Sequence, residues 1–351
     1  MGRSRRIGDI GFLLLKRGAQ MAKTAKIVVV VLVAVLVLVL AAAGAVYFWP
    51  HTSEHRQTGV VDSVTYGAAL ERVDDKIAAD EADDVTEECR STLLTHGERT
   101  AKTVVFLHGV RQCPHQFEDI THYFYEQGYN VYAPVAPAHG TADPLYHANV
   151  TADGLVDFVN DAVTTATGLG EEVGVVGLSG GGMLSTWAAE YRPEVEHALL
   201  LSPFYEPATS QSPKWQLPLL KTLHGNHLIA DEFSNGVEAE NPGFSYRALA
   251  QYLIVGDNLK KEPTDLGLES IAVVVSEDDE LIDHELAHDI PAEIARDNGL
   301  ELLSAEIPAQ WQIGHEITGM NVEGYENHRD VLFDLYFNLY EGRSVELVGA
   351  Q

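Results

Sequence analysis

Ser179, Asp279 and His315, spread through the second half of this 351-residue chain, could together carry out acyl transfer. Ser179 lies in Gly177-Leu178-Ser179-Gly180-Gly181, a G-x-S-x-G pattern directly after an apolar run and directly before a helical stretch. A serine held up on so tight a strand-to-helix turn needs small neighbours, which Gly177 and Gly181 supply. Its hydroxyl is a weak nucleophile unless a base takes the proton and an acid orients that base. His315, in Ile313-Gly314-His315-Glu316, stands in a loop before the last helix and is the candidate base. Asp279, in Ser276-Glu277-Asp278-Asp279-Glu280, is the first choice of acid and Asp278 the second. Charge developing on a carbonyl oxygen needs two aimed amides. Gly180 N–H, at a helix start, is one; Val110 N–H, after the turn that Gly109 permits, is the other.

These residues need a frame. Apolar, β-branched runs at 103–108, 129–134, 173–178, 198–201, 271–275 and 302–307 read as strands. They are continuous rather than alternating, which suits strands buried on both faces of a parallel sheet. Helical stretches at 116–127, 152–167, 183–191, 284–296 and 325–340 fall between and after them. The alternation predicts an α/β fold with a mostly parallel, doubly wound sheet. Each candidate catalytic residue then falls just past a strand end. Residues 203–268 break the rhythm with an aromatic and apolar insertion, expected to be a lid or cap.

Phe106-Leu107-His108-Gly109-Val110, Pro137-Ala138-His139-Gly140, the Ser179 pentapeptide, the Asp279 segment and Gly314-His315-Glu316 resemble, in that order, α/β-hydrolase esterases and lipases. The likeness is strongest to the monoacylglycerol-lipase and carboxylesterase branch, and runs from about Cys89 to the C-terminus. It implies an α/β-hydrolase fold, a Ser179–His315–Asp279 triad, oxyanion amides at Val110 and Gly180, and hydrolysis of lipophilic carboxylic esters without metal or cofactor. Ala138 replaces a glycine common in this pattern, and Ser276 replaces a common glycine before the acid.

A rival motif exists. His284-Glu285-Leu286-Ala287-His288 matches H-E-x-x-H, in which two imidazoles one helical turn apart hold zinc and the glutamate acts as base. No third ligand is marked downstream, and Pro291 predicts a short or kinked helix there. A non-catalytic surface-binding protein of the same fold is the third reading, expected to lack a triad member; none is missing.

Charge divides the chain. Residues 1–26 carry seven basic side chains and one acid, and the remainder carries 16 basic and 51 acidic residues. So acidic a body repels nucleic-acid phosphates, and no nucleic-acid partner is expected. Residues 27–49 hold no charge and would span roughly 34 Å as a helix, enough to cross a bilayer. The basic leader places the N-terminus (1–26) in the cytoplasm and the body outside. A retained anchor is favoured over cleavage near Ala43-Gly44-Ala45, which would give a secreted protein. Residues 50–84 read as an acidic linker with one short helix at 68–79, and residues 85–351 as the hydrolase domain. Cys89 and Cys113 can pair as a disulfide outside the cytoplasm; two buried thiols are the alternative.

Overall fold

The computed structural model describes residues 4–143, 145–231, 237–238, 241–242, 244–319, 322, 324–345 and 347. Parts of the basic leader (1–3) and of the insertion (232–236, 239–240, 243) lie outside them. The chain forms two compact units, Met1–Pro50 and His51–Gln351. The first is a single helix, α1 (Ser4–Tyr47), whose Lys16–Tyr47 portion is long and apolar enough to cross a membrane, with a mean hydropathy of 3.3 in its most apolar window.

The second unit follows in the order α2 (Tyr66–Ala82), β1 (Thr92–Leu94), β2 (Thr100–Leu107), α3 (Glu118–Glu126), β3 (Asn130–Ala133), α4 (Ala152–Leu169), β4 (Gly170–Leu178), α5 (Gly180–Tyr191) and β5 (Val195–Leu201). Then come α6 (Leu217–Leu223), the two-residue strands β6 (Val237–Glu238) and β7 (Asn241–Pro242), α7 (Tyr246–Gly256), β8 (Ser270–Ser276), α8 (His284–Asp297), β9 (Leu302–Ile307) and α9 (Arg329–Tyr340). Seven strands form one sheet in the order β1-β3-β2-β4-β5-β8-β9. All neighbours run parallel except β1, which lies antiparallel on β3. All six apolar runs read from the sequence are strands. Their side chains are buried on both faces, which is why the runs are unbroken: β4 and β5 pack Val173 and Val175, Ala198 and Leu200 into one layer of core, and Val176, Leu199 and Leu201 into the other.

Register brings the strand ends into line. Leu107 pairs with Gly177, Leu178 with Leu201, and Leu201 with Val274. The residues that follow, His108, Ser179 and Ser202, therefore emerge side by side at the sheet's carboxyl edge. In open α/β sheets that edge is where ligands bind.

Residues 51–84 differ from the expected linker. They are folded onto the body, and the helix is longer than the one read at 68–79. Helix α2 starts at the Thr65 cap, whose hydroxyl accepts the Ala68 N–H, and lies on α4 with Ala69 and Val73 buried. The preceding strap is held by hydrogen bonds rather than apolar area. Trp187 Nε1 donates to Arg56 O (2.7 Å), Val60 N to Asn160 Oδ1 (2.9 Å) and Val64 N to Thr167 Oγ1 (3.1 Å). Net hydrogen bonds contribute about 1 kcal/mol each, so a segment with little hydrophobic signal can be firmly docked. The insertion holds two helices not expected from the sequence, α6 and α7. Helix α7 is the deeper, with Ala248, Tyr252 and Val255 fully buried.

Candidate active site

Ser179 sits between β4 and α5 with φ 58° and ψ −120°, a conformation that costs a non-glycine residue of order 1–3 kcal/mol. Three backbone bonds hold it there. Ser179 N donates to Leu201 O (2.9 Å), and Ser179 O accepts from Phe204 N (2.9 Å) and Met183 N (3.1 Å). The flanking glycines are required by contact, not only by flexibility. A Cβ on Gly177 would strike Gly181 O, and one on Gly181 would strike Leu107 O.

The candidate acid and base meet directly. His315 Nδ1 lies 2.7 Å from Asp279 Oδ2, and the Asp279 side chain is wholly buried. Its other oxygen accepts Leu281 N–H at 2.9 Å. Burial pushes the Asp279 carboxyl up, but the bonds from His315 and Leu281 N–H outweigh it and hold it below its ordinary value. Ser202 Oγ also faces this carboxylate, without hydrogen-bond geometry. Asp278, the second choice, makes no such bond among the described residues: its N–H goes to Ser276 Oγ (3.2 Å). Ser179 and His315 line one cavity of 420 Å³ together with Val110, Leu178, Phe204, Phe244, Leu249 and Leu281. No Ser179–His315 hydrogen bond is present among the described residues; unliganded catalytic pairs are commonly long and tighten on substrate binding.

The two oxyanion candidates are neighbours. A Cβ on Gly180 would lie 2.7 Å from Val110 Cγ2, and one on Gly109 would lie 3.4 Å from Ser179 Cβ. Gly180 is the first residue of α5, so its N–H has no carbonyl within the helix. The Gly109–Val110 loop is fastened on several sides. His108 Nδ1 donates to Gly109 O (2.9 Å) while its Nε2 accepts Ala136 N–H (2.9 Å), which fixes a neutral tautomer. Burial pushes that imidazole down to about 3. His139 Nε2 lies 2.8 Å from Val110 O. A disulfide between Cys89 and Cys113 anchors the far end of the loop.

Sequence reasoning missed the clasp joining the Gly109–Val110 loop to the His315 loop. Gly109 N donates to Gln116 Oε1 (2.9 Å), Gln116 Nε2 to Glu316 Oε2 (2.7 Å), and Thr318 Oγ1 to Glu316 Oε1 (2.5 Å). Burial pushes the Glu316 carboxyl up, against the opposing pull of those two donors. Glu316 stood inside a quoted motif and Gln116 at the start of a helical stretch, but nothing in one sequence says that they touch. The two departures from the family pattern also have structural readings. Ala138 takes φ 63°, the left-handed region that favours the glycine usual there. Ser276 Oγ donates to Ile313 O and so ties the Asp279 turn to the His315 loop.

Of the H-E-x-x-H residues, His284 serves this same turn. Helix α8 runs through Pro291, close to the stretch read at 284–296 and not shortened by the proline, and begins at the Asp283 cap. His284 Nε2 donates to Asp279 O (2.6 Å), while exposed His288 pairs with Asp289 (3.6 Å). Among the described residues no third metal-ligating side chain joins them.

The profile of the serine aminopeptidase S33 family matches residues 98–304, and the chain belongs to that family of α/β-hydrolases. Many solved structures share the fold. One, reported for the metagenome-derived lipolytic enzymes LipS and LipT, is 19% identical, covers 74% of this chain and 100% of its own, and has a TM-score of 0.55. The monoacylglycerol lipase of Paleococcus ferrophilus is 15% identical, with 70% and 97% covered and a TM-score of 0.53. No curated protein matches the sequence.

Proposed function

We propose that the protein is a serine carboxylic-ester hydrolase acting on lipophilic acyl esters through a Ser179–His315–Asp279 triad. The observation that carries this reading is the 2.7 Å His315–Asp279 bond at a cavity shared with the strained Ser179. His315 takes the Ser179 proton as Oγ attacks the ester carbonyl. Val110 and Gly180 N–H groups hold the oxyanion, and Asp279 fixes the imidazole tautomer. The imidazolium then protonates the departing alkoxide, leaving an acyl-serine and a free alcohol. Water, deprotonated by His315, attacks that acyl group and releases the carboxylic acid and the restored hydroxyl.

The cavity's apolar lining supports an acyl chain as its occupant, in keeping with the lipolytic relatives. The family's description raises a serine aminopeptidase as the second reading. A peptide's α-ammonium wants a carboxylate to receive it, and the Glu316 carboxylate is already engaged by Gln116 and Thr318. Residues 27–49 hold the catalytic unit to the bilayer in this reading, N-terminus cytoplasmic and body outside. The test uses the detergent-solubilised full chain with p-nitrophenyl esters of graded acyl length and aminoacyl p-nitroanilides. Ester turnover should rise with acyl length and far exceed anilide turnover. Faster anilide cleavage would favour the peptidase, and near-parent ester turnover in Ser179→Ala would remove the triad.

A further inference from the structure

The amino edge of the sheet, opposite the candidate active site, carries a second group of chemically capable side chains. Val173 pairs with Val195, but the next residue, Gly174, pairs with His197, so Glu196 is the extra residue of a β-bulge. In a regular strand the adjacent Glu196 and His197 would point to opposite faces. The bulge re-aims them. Ligand atoms of Glu172, Glu196 and His197 all lie within 4.8 Å of one another, the one such trio among the described residues.

Clustered acids alone would mean little; the imidazole adds an independent observation. His197 is 6% exposed. Its Nδ1 lies 2.7 Å from Ser270 Oγ, and that hydroxyl donates to Tyr340 O at 2.8 Å. The serine proton is therefore spent on the carbonyl, and Ser270 Oγ accepts from His197 Nδ1–H. The lone pair of the neutral ring is left on Nε2. That nitrogen is buried without a hydrogen-bond partner, 3.7 Å from Glu172 Oε2. A lone pair facing carboxylate oxygens is acceptor against acceptor, which a cation between them would reconcile. Lys102 does not do this: its Nζ reaches Glu341 (2.9 Å) and Glu172 (3.4 Å) from one side. A second orphan stands close by. The buried Tyr340 hydroxyl lacks a partner, and its ring lies 5.4 Å from that of His197.

We propose that Glu172, Glu196 and His197 bind one divalent transition-metal ion of the Zn²⁺ type, with water as fourth ligand. One imidazole with two carboxylates suits zinc better than calcium or magnesium, which prefer all-oxygen sets. The Nδ1–H bond to Ser270 is the outer support that metal-ligating histidines ordinarily have. Tetrahedral ligands at 2.0–2.2 Å stand roughly 3.5 Å apart, so the glutamates must swing inward by about 1 Å. The ion would staple β4 to β5 at the end of β4 remote from Ser179, so its role is structural.

The test is equilibrium dialysis and thermal unfolding of untagged, chelator-stripped full-length protein with Zn²⁺, with Co²⁺ as a spectroscopic probe and Mg²⁺ as a control. One Zn²⁺ per chain should bind at micromolar free ion and raise the Tm, and Co²⁺ should give a visible absorption band. Glu196→Gln, at a half-buried position, should keep the fold, weaken Zn²⁺ at least tenfold and lose the Co²⁺ band. His197→Gln should do the same. Absence of stoichiometric Zn²⁺ binding would overturn the proposal in favour of a His197–Glu172 ion pair. Unchanged binding in Glu196→Gln, or an equal Tm rise with Mg²⁺, would overturn it too.

Discussion

The two ends of the parallel sheet hold histidines in the same posture with different neighbours. At the carboxyl edge His315 gives Nδ1 to Asp279 Oδ2, and at the amino edge His197 gives Nδ1 to Ser270 Oγ. In both, a bond to one nitrogen fixes the ring and leaves the other for chemistry. His315 shares its cavity with a strained serine and apolar side chains; buried His197 faces two glutamates. The first setting suits a proton acceptor for a nucleophile, the second a ligand. What an imidazole does is thus set less by how it is held than by what its working nitrogen meets.

The sharpest way to break this comparison is to alter the holding group. Asp279→Asn should present the wrong tautomer to Ser179 and lower kcat by on the order of 10⁴. Asp278→Asn should change kcat by no more than a few-fold. Comparable losses in the two variants would mean that the acid is misassigned. Glu316→Ala, which opens the clasp between the oxyanion and base loops, should lower kcat by about 10²-fold while KM changes little, with partial recovery in Glu316→Gln. A rise in KM alone would place Glu316 in substrate binding instead.

Much of this arrangement was legible because burial on both strand faces writes continuous apolar runs into the sequence. Ser179, Asp279 and His315 could be picked out as candidates because they follow three such runs in order. The docking of residues 51–84 was hidden, since Ala69 and Val73 are its fully buried apolar anchors, Val64, Tyr66, Leu70 and Ile77 are only partly buried, and much of the strap is bonded through backbone and polar side chains. The Gln116–Glu316–Thr318 clasp was equally invisible, because polar residues 200 positions apart leave no periodic trace. The bulge at Glu196 depends on pairing with β4, which a single strand's letters do not record.

Two smaller effects sharpen the contrast between the loops and the sheet they stand on. Replacing both Cys89 and Cys113 by serine should cost about 3 kcal/mol of stability, read from denaturant midpoints. It should also lower kcat, because Cys113 ends the oxyanion loop; a fully stable double variant would show that the loop holds without the bond. His108, neutral and pushed down to about 3 from 6.5, makes its full contribution above pH 6.5 and loses it progressively as pH falls toward 3. Parent stability should therefore decline below pH 6.5, and His108→Gln should reduce that slope by up to about 1.4 kcal/mol per pH unit. Buried His51, His139 and His197, held low in the same way, would supply the residual slope. An identical slope in parent and variant would contradict the neutral, loop-holding role of His108.

The central claim is that Ser179 is the nucleophile, and the direct measurement is covalent capture by a fluorophosphonate followed by peptide mass spectrometry of the full-length protein. One phosphonyl group per chain is predicted, on Ser179, with none taken up by Ser179→Ala. Stoichiometric labelling of another residue, or undiminished labelling of Ser179→Ala, would contradict the account.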